Sequence, residues 1–177
     1  MSTKITIEKE ETIMATIKKT ICTLSIVGIF TFILFIVIAQ AAEPIDCVVC
    51  QDMTITTIVQ TGDLIIMGYE SKGIVLDNTE SKFFDSDTVH GVGIMKIDKG
   101  KVTGSWINKH LNPSGDFYVT EGSSVGPESN FKFIYGTGKF AGITGGGKTI
   151  RFTKGKPVSP GTSQGCVKVT GTYELKK

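Results

Sequence analysis

After Cys50 the chain alternates apolar and polar residues with a period of two, the repeat of a strand with one buried face. The alternation predicts about eight strands, separated by short clusters of Gly, Asp, Asn and Pro. They are Met53–Gln60, Leu64–Leu76 (with a break at Ser71–Gly73 left open), Thr88–Asp98, Lys101–Asn108, Asp116–Glu121, Phe131–Gly136, Lys148–Lys154 and Cys166–Leu175. We therefore predict an all-β protein, a single antiparallel β-barrel of about eight strands.

The phase of the alternation assigns an inner face to each strand, because successive side chains point to opposite sides. The residues predicted to point inward are Val102, Gly104, Trp106 and Asn108; Phe117, Val119 and Glu121; Phe131, Phe133 and Tyr135; Ile150 and Phe152; and Val167, Val169, Gly171, Tyr173 and Leu175. Inward glycines such as Gly104 and Gly171 relieve crowding where strands coil. One face of each strand is thus apolar and the other is polar.

The N-terminal region has a different pattern. No residue from Thr20 to Ala42 is charged, a run of 23, and Lys18 and Lys19 precede it. Alanines at 39 and 41 fit the small-residue rule of a signal peptidase site, so residues 1–41 are predicted to be a cleaved signal peptide, with Met14 an alternative start. An uncleaved anchor stays open, since 23 helical residues reach about 34 Å. Both readings predict export: a periplasmic or secreted protein, or a membrane-anchored one facing away from the cytoplasm.

Composition limits the remaining 136 residues to one modest domain. They carry 20 of the 21 glycines, which argues against a helical bundle. The whole chain has a formal charge of +2, too small for a strongly basic nucleic-acid binder. We predict an N-terminal arm over residues 42–52 and the barrel over residues 53–177.

Three cysteines remain outside the signal segment: Cys47, Cys50 and Cys166. A haem site needs His after the second Cys, where Gln51 stands, and a thioredoxin-type pair needs a helix that the pattern does not predict. A structural disulfide is the expectation for an exported domain. We predict that Cys166, on the outer face of the last strand, pairs with Cys50 or with Cys47 and clamps the arm outside the barrel. The third thiol would be left for a partner or for exchange.

Two glycine-rich segments imitate nucleotide-binding motifs. Gly142–Thr149 fits the phosphate-loop pattern, and Gly136–Ala141 imitates a dinucleotide fingerprint. Both motifs require a helix N-terminus at the phosphates, whereas the residues from Thr149 onward alternate as a strand. The sequence therefore predicts turns between barrel strands, with no nucleotide and no cofactor.

The segment Tyr135–Gly147 resembles the G-T-G-[KR]-[FY]-x-G-[IA]-x-G segment of the allene oxide cyclase and dirigent-like barrels, which uncharacterised secreted bacterial proteins also carry. The resemblance implies an eight-stranded antiparallel barrel of the calycin or allene oxide cyclase type, in which this segment joins late strands. It covers about a dozen residues closely and residues 53–175 in topology. No pocket residue of the plant enzymes is carried over.

The candidate ligand-binding residues share the predicted inner face. They are Trp106, Asn108, Glu121, Phe133, Tyr135 and Tyr173. Asn108 and Glu121 lie at predicted strand ends, where a pocket would open, and a carboxylate on an apolar wall could act as an acid or a base. No catalytic grouping is recognised, His90 is predicted to be a surface residue, and His110 is predicted to lie solvated in a polar loop.

Three functions compete. The first is an exported barrel that binds a small apolar or aromatic ligand without catalysis. The second is an allene oxide cyclase-like or dirigent-like enzyme that steers a reactive small molecule, and the third is a solidly packed structural or interaction protein. We expect no nucleic acid or nucleotide partner. A membrane contact is expected only through an uncleaved N-terminal segment. Whether the protein forms a homo-oligomer is left open.

Overall fold

The structure is a computed structural model, and it describes residues 41–153 and 155–176. The predicted signal or anchor segment therefore lies, apart from Ala41, outside the described residues. Within the described ranges no helix is long and apolar enough to cross a membrane.

Eight strands account for most of the described chain. They are β1 (Glu43–Thr61), β2 (Leu64–Asp77), β3 (Thr88–Asp98), β4 (Lys101–Leu111), β5 (Phe117–Val125), β6 (Glu128–Gly136), β7 (Ile143–Arg151) and β8 (Thr162–Leu175). A single turn of 3-10 helix, Gly138–Phe140, lies between β6 and β7. The break considered in the second strand is absent, because β2 is continuous.

Each strand pairs antiparallel with the next, and β1 also pairs with β8, so the sheet closes into an eight-stranded barrel. This confirms the predicted fold class. Closure leaves no edge strand to template pairing with another chain.

The first strand begins ten residues earlier than predicted. Residues 43–52, expected as an arm outside the barrel, form the first half of β1 and pair with both β2 and β8. Cys50 and Cys166 face each other directly in the β1–β8 register and form a disulfide across 116 positions of chain. Of the two pairings left open for Cys166, the structure has the one with Cys50, and the bond joins two paired barrel strands instead of holding an outer arm.

The inner faces agree with the prediction in β4 and β8 and differ in β5 and β7. In β5 it is Tyr118 and Thr120 that are buried, while Phe117 lies outside under the Lys109 ammonium, 4.5 Å from the ring centroid. In β7, Arg151 lines the interior and Ile150 is exposed. Both phases of β5 carry large apolar side chains, so alternation alone could not choose between them.

A β-bulge reverses the face of the last residues of β6. Phe133 pairs with Thr120, yet Tyr135 pairs with Val119, so Ile134 is an extra residue on this strand. One added residue moves every later side chain to the opposite face. Tyr135 is consequently 56% exposed, whereas Phe133 is buried.

One end of the barrel is filled by aromatic side chains and is called the closed end below. Residues 78–87, the cap loop between β2 and β3, bring Phe84 into the core, where its ring packs against Tyr118, 5.3 Å away, and Phe140, 6.1 Å away. The carboxylate of Asp77 accepts a 2.9 Å hydrogen bond from the backbone N–H of Phe84 and so holds the cap loop over this end.

The glycines of Gly142–Thr149, the segment that matches the phosphate-loop pattern, allow neighbouring strands to approach closely. Gly146 and Gly147 lie in β7, and a Cβ on either would overlap the backbone of β6 or of β8. Gly171 on β8 meets the backbone of Gly146 in the same way, as its predicted role implies. The segment therefore continues as a strand, with no helix at which a phosphate could be held.

Candidate functional site

The barrel encloses a cavity of about 710 Å³ lined by side chains from all eight strands. Its floor lies at the closed end, where Phe84 and Tyr118 line it. At the opposite end the lining includes Gly126 and Pro127, which form the turn between β5 and β6, and this end is called the mouth below. The volume falls within the range of small-molecule binding sites.

Glycines on the wall explain why the middle of the barrel is hollow. Aromatic residues and glycines alternate across four neighbouring strands. Tyr69 on β2 pairs with Gly93 on β3, Gly93 pairs with Trp106 on β4, and Trp106 pairs with Gly122 on β5. A Cβ on Gly93 would lie 2.5 Å from the Tyr69 ring, and one on Gly122 would overlap the Trp106 indole. The two rings therefore lie flat over glycine backbone along the wall and leave the centre open.

His110 is the principal functional candidate that the sequence reasoning misplaced. Because β4 extends to Leu111, His110 lies on its inner face, only 8% exposed, and not in a solvated loop. Its ring stacks on Tyr118 with centroids 4.4 Å apart, and Nε2 lies 3.1 Å from the Thr120 hydroxyl oxygen. Burial lowers the pKa of His110 to about 3, so the imidazole is neutral near pH 7. Extending the apolar–polar alternation of this strand by two residues would have found it.

Asp87 is a second buried titratable group at the closed end. It ends the cap loop, is completely buried, and accepts a 2.6 Å hydrogen bond at Oδ1 from the side-chain amide of Asn112. Its Oδ2 has no hydrogen-bond partner among the described residues. Burial raises the pKa of Asp87 to about 6, although the Asn112 hydrogen bond opposes this shift. No periodic pattern marks Asp87, because the cap loop has neither helical nor strand repeat.

Arg151 is the charged side chain on the cavity lining. Its Nη2 donates to the Ser163 hydroxyl and to the Gln164 carbonyl at 3.0 Å, and its Nε donates to the Thr153 carbonyl at 3.2 Å. These bonds tie the end of β7 to the start of β8. The sequence reasoning had placed Arg151 on the outer face.

Four of the six predicted ligand-binding residues point inward. Trp106, Asn108 and Phe133 line the cavity. Tyr173 is buried at the closed end, with its ring stacked on Phe83 at a centroid distance of 4.9 Å, and belongs to the aromatic core beside the cavity.

The other two predicted residues lie on the outer face. Glu121 forms an exposed ion pair with Lys132 on the neighbouring strand, at 2.8 Å. Tyr135 packs outside against Phe117, with ring centroids 5.7 Å apart. Their inward assignment is therefore wrong, for Glu121 because the phase of β5 is reversed and for Tyr135 because of the bulge at Ile134.

The third cysteine lies in the interior of the barrel. Cys47 lies on the inner face of β1, is buried, and is unpaired. Burial, followed by the nearby Asp77 and Asp46 charges, raises the pKa of Cys47 to about 12. Since the thiolate is the attacking form, the exchange role considered for this cysteine has no support.

Residues 41–153 and 155–176 hold no group of three or more His, Cys, Asp or Glu side chains arranged to bind a metal ion. His90, as predicted, lies on the surface, where it contacts Glu70 at 2.9 Å.

Comparison with known proteins finds no matching family model and no matching curated protein.

Proposed function

We propose that this protein is an exported barrel that binds one small apolar or aromatic molecule in its interior without transforming it. The observation that carries the proposal is the 710 Å³ cavity, whose wall is mainly apolar and whose volume is kept open by glycines opposite Tyr69 and Trp106. A barrel with a purely structural role would be more stable if side chains filled this space, because the side chains that line an empty cavity lack packing contacts on one side. The cavity therefore supports binding over the solidly packed alternative.

The cavity chemistry also supports binding over catalysis. The titratable groups that line it within the described residues are Cys47, Tyr69, His110, Tyr118 and Arg151. Burial raises the pKa values of Cys47 and of both tyrosines and lowers the pKa of His110. None of these four side chains exchanges a proton near pH 7, where a general acid or base needs its pKa.

The enzymatic alternative rests on the resemblance of Tyr135–Gly147 to allene oxide cyclase and dirigent-like proteins. Glu121, the carboxylate considered as an acid or base, and Tyr135, the phenol on the predicted inner face, both face away from the cavity. An enzyme of this kind would have to work by shape alone, with the ligand held in a reactive conformation. Export is supported by the Cys50–Cys166 disulfide, since such bonds persist in oxidising compartments.

Titration with the neutral apolar dye N-phenyl-1-naphthylamine tests the proposal. The chain has one tryptophan, and it lines the cavity, so a bound dye is expected to quench Trp106 saturably at one dye per protein. Val169→Phe adds bulk to the cavity wall and should weaken the dye binding that causes the quenching. Val92→Phe makes the same change at a site 55% exposed on the outer face and should leave it unchanged. Equal dye binding by both variants, or no binding by the unmodified protein, would refute the proposal.

A further inference from the structure

A row of polar side chains on the cavity wall crosses four neighbouring strands. A second row, Ser124, Ser129 and Thr149, lies nearer the mouth. In the register Ser71 on β2 stands opposite Gly91 on β3, Gly91 opposite Asn108 on β4, and Asn108 opposite Thr120 on β5. Ser71, Asn108 and Thr120, called the polar row below, all line the cavity. The row lies between the aromatic floor and the mouth.

Gly91 brings two members of the polar row together. A Cβ at this position would lie 2.8 Å from the Ser71 hydroxyl oxygen and 2.8 Å from the Asn108 carboxamide carbon. Both side chains therefore lean over the same backbone from opposite sides. A side chain at Gly91 would separate them and push both away from the wall.

No hydrogen bond to the Ser71 hydroxyl or to the Asn108 carboxamide is found within the described part of the chain, and Ser71 is only 2% exposed. Asn108 is partly exposed, Ser71 is buried beside it, and both side chains line the cavity. Thr120 differs, because its hydroxyl contacts His110 Nε2. Buried polar groups are costly when unpaired, so two side by side on an apolar wall indicate a place where a ligand completes the hydrogen bonds.

The chemistry of the pair limits the ligand group. Asn108 offers a donor and an acceptor on one amide, and Ser71 offers both on one oxygen. A hydroxyl also donates and accepts, so it can satisfy both side chains at once. Within the described residues no ionised side chain belongs to the row, and the charged lining residue, Arg151, lies at the mouth on the opposite part of the wall. A neutral group is therefore favoured over an ionised one.

We infer that Ser71 and Asn108 form the recognition site of the cavity and select an apolar molecule that carries a neutral hydroxyl group. The inference rests on the proposed function, because it presupposes a ligand in the cavity. It specifies the chemical group that the ligand carries, a neutral hydroxyl, and the two side chains that hydrogen-bond to it.

Calorimetric titration with two probes of the same shape tests the inference. 2-Naphthol carries a hydroxyl where 2-methylnaphthalene carries a methyl group. We expect the unmodified protein to bind 2-naphthol at least about tenfold more tightly, because the methyl analogue leaves both polar groups unpaired. Ser71→Ala and Asn108→Leu should each reduce this ratio toward one, mainly by weakening the binding of 2-naphthol.

Ser105→Ala is the matched control, since Ser105 is exposed on the outer face of β4 and its loss should leave the ratio unchanged. Should Asn108→Leu fail to fold, Ser71→Ala and the two-probe ratio of the unmodified protein still decide the question. Equal affinity for both probes overturns the inference and leaves the proposed function standing. A preference for 2-naphthol that survives in Ser71→Ala and Asn108→Leu also overturns it. Failure of both probes to bind overturns the proposed function together with the inference.

Discussion

The closed end and the middle of the barrel use aromatic side chains in opposite ways. At the closed end the Phe84, Phe140 and Tyr118 rings meet one another across the barrel and fill it. In the middle Trp106 and Tyr69 meet glycines and lie along the wall. The residue opposite an aromatic side chain, and not the aromatic residue itself, therefore decides whether the ring fills the barrel or lines its wall.

The largest expected effect comes from emptying the closed end. Phe140 is 0% exposed, so Phe140→Ala should lower the free energy of unfolding by about 3 to 5 kcal/mol, through lost burial and the cavity left behind. Trp106→Ala should cost less, because one side of the indole already borders open space. Urea unfolding of both variants measures the comparison. A larger loss for Trp106→Ala would contradict the account of a filled end and a hollow middle.

The two buried titratable groups at the closed end should make the free energy of unfolding depend on pH in opposite directions. His110 has a pKa of about 3 when folded and 6.5 as its ordinary value, so its contribution to stability is complete above pH 6.5 and is lost as the pH falls toward 3. Asp87 has a folded pKa of about 6 against 3.8, so its contribution is complete below pH 3.8 and is lost as the pH rises through 6. The full change is on the order of 5 kcal/mol for His110 and about 3 kcal/mol for Asp87.

Single substitutions separate the two effects. His110→Gln should lose less stability than the unmodified protein between pH 7 and pH 4, and Asp87→Asn should lose more over the same range. Thermal unfolding at several pH values gives both slopes, and His90→Gln is the control at an exposed histidine. If both variants followed the pH profile of the unmodified protein, the buried titrating groups at the closed end would be misassigned.

A methyl group in the middle of the barrel should have a smaller effect on stability and a clear effect on the cavity. Gly122→Ala places its Cβ against the Trp106 indole and should turn the ring toward the lumen, at a cost of about 1 to 3 kcal/mol. We expect the emission wavelength of Trp106 to change and the affinity for an apolar dye to fall. Ser123→Ala, on the neighbouring outer position, should change neither. Unaltered emission from Gly122→Ala would show that the glycine does not set the indole orientation.

The smallest effect is expected on the outer face. Glu121→Gln removes the exposed ion pair with Lys132 and should change the free energy of unfolding by at most about 1 kcal/mol. Dye affinity should stay the same, because the carboxylate does not line the cavity. Loss of dye binding in Glu121→Gln would restore the inward assignment made from the sequence.

Alternation along the chain was sufficient for the barrel, the strand count and the inner faces of β4 and β8. It failed where a strand carries apolar residues in both phases, as with Phe117 and Tyr118 in β5. It also failed at the bulge of β6, since an extra residue at Ile134 changes the face without changing the composition. Phe84 was missed because the cap loop has no periodicity, and its burial depends on contacts made only after the barrel closes.

Xenon tests, without assuming a ligand, whether the middle of the barrel is a hollow apolar space open to small molecules. Xenon enters apolar cavities in proteins, and its 129Xe NMR shift responds to the protein concentration when it does. We predict a saturable, protein-dependent 129Xe shift whose size Val169→Phe changes and Val92→Phe preserves. A shift no larger than that caused by solvent-exposed surface, or one that Val169→Phe leaves unchanged, would contradict a hollow interior.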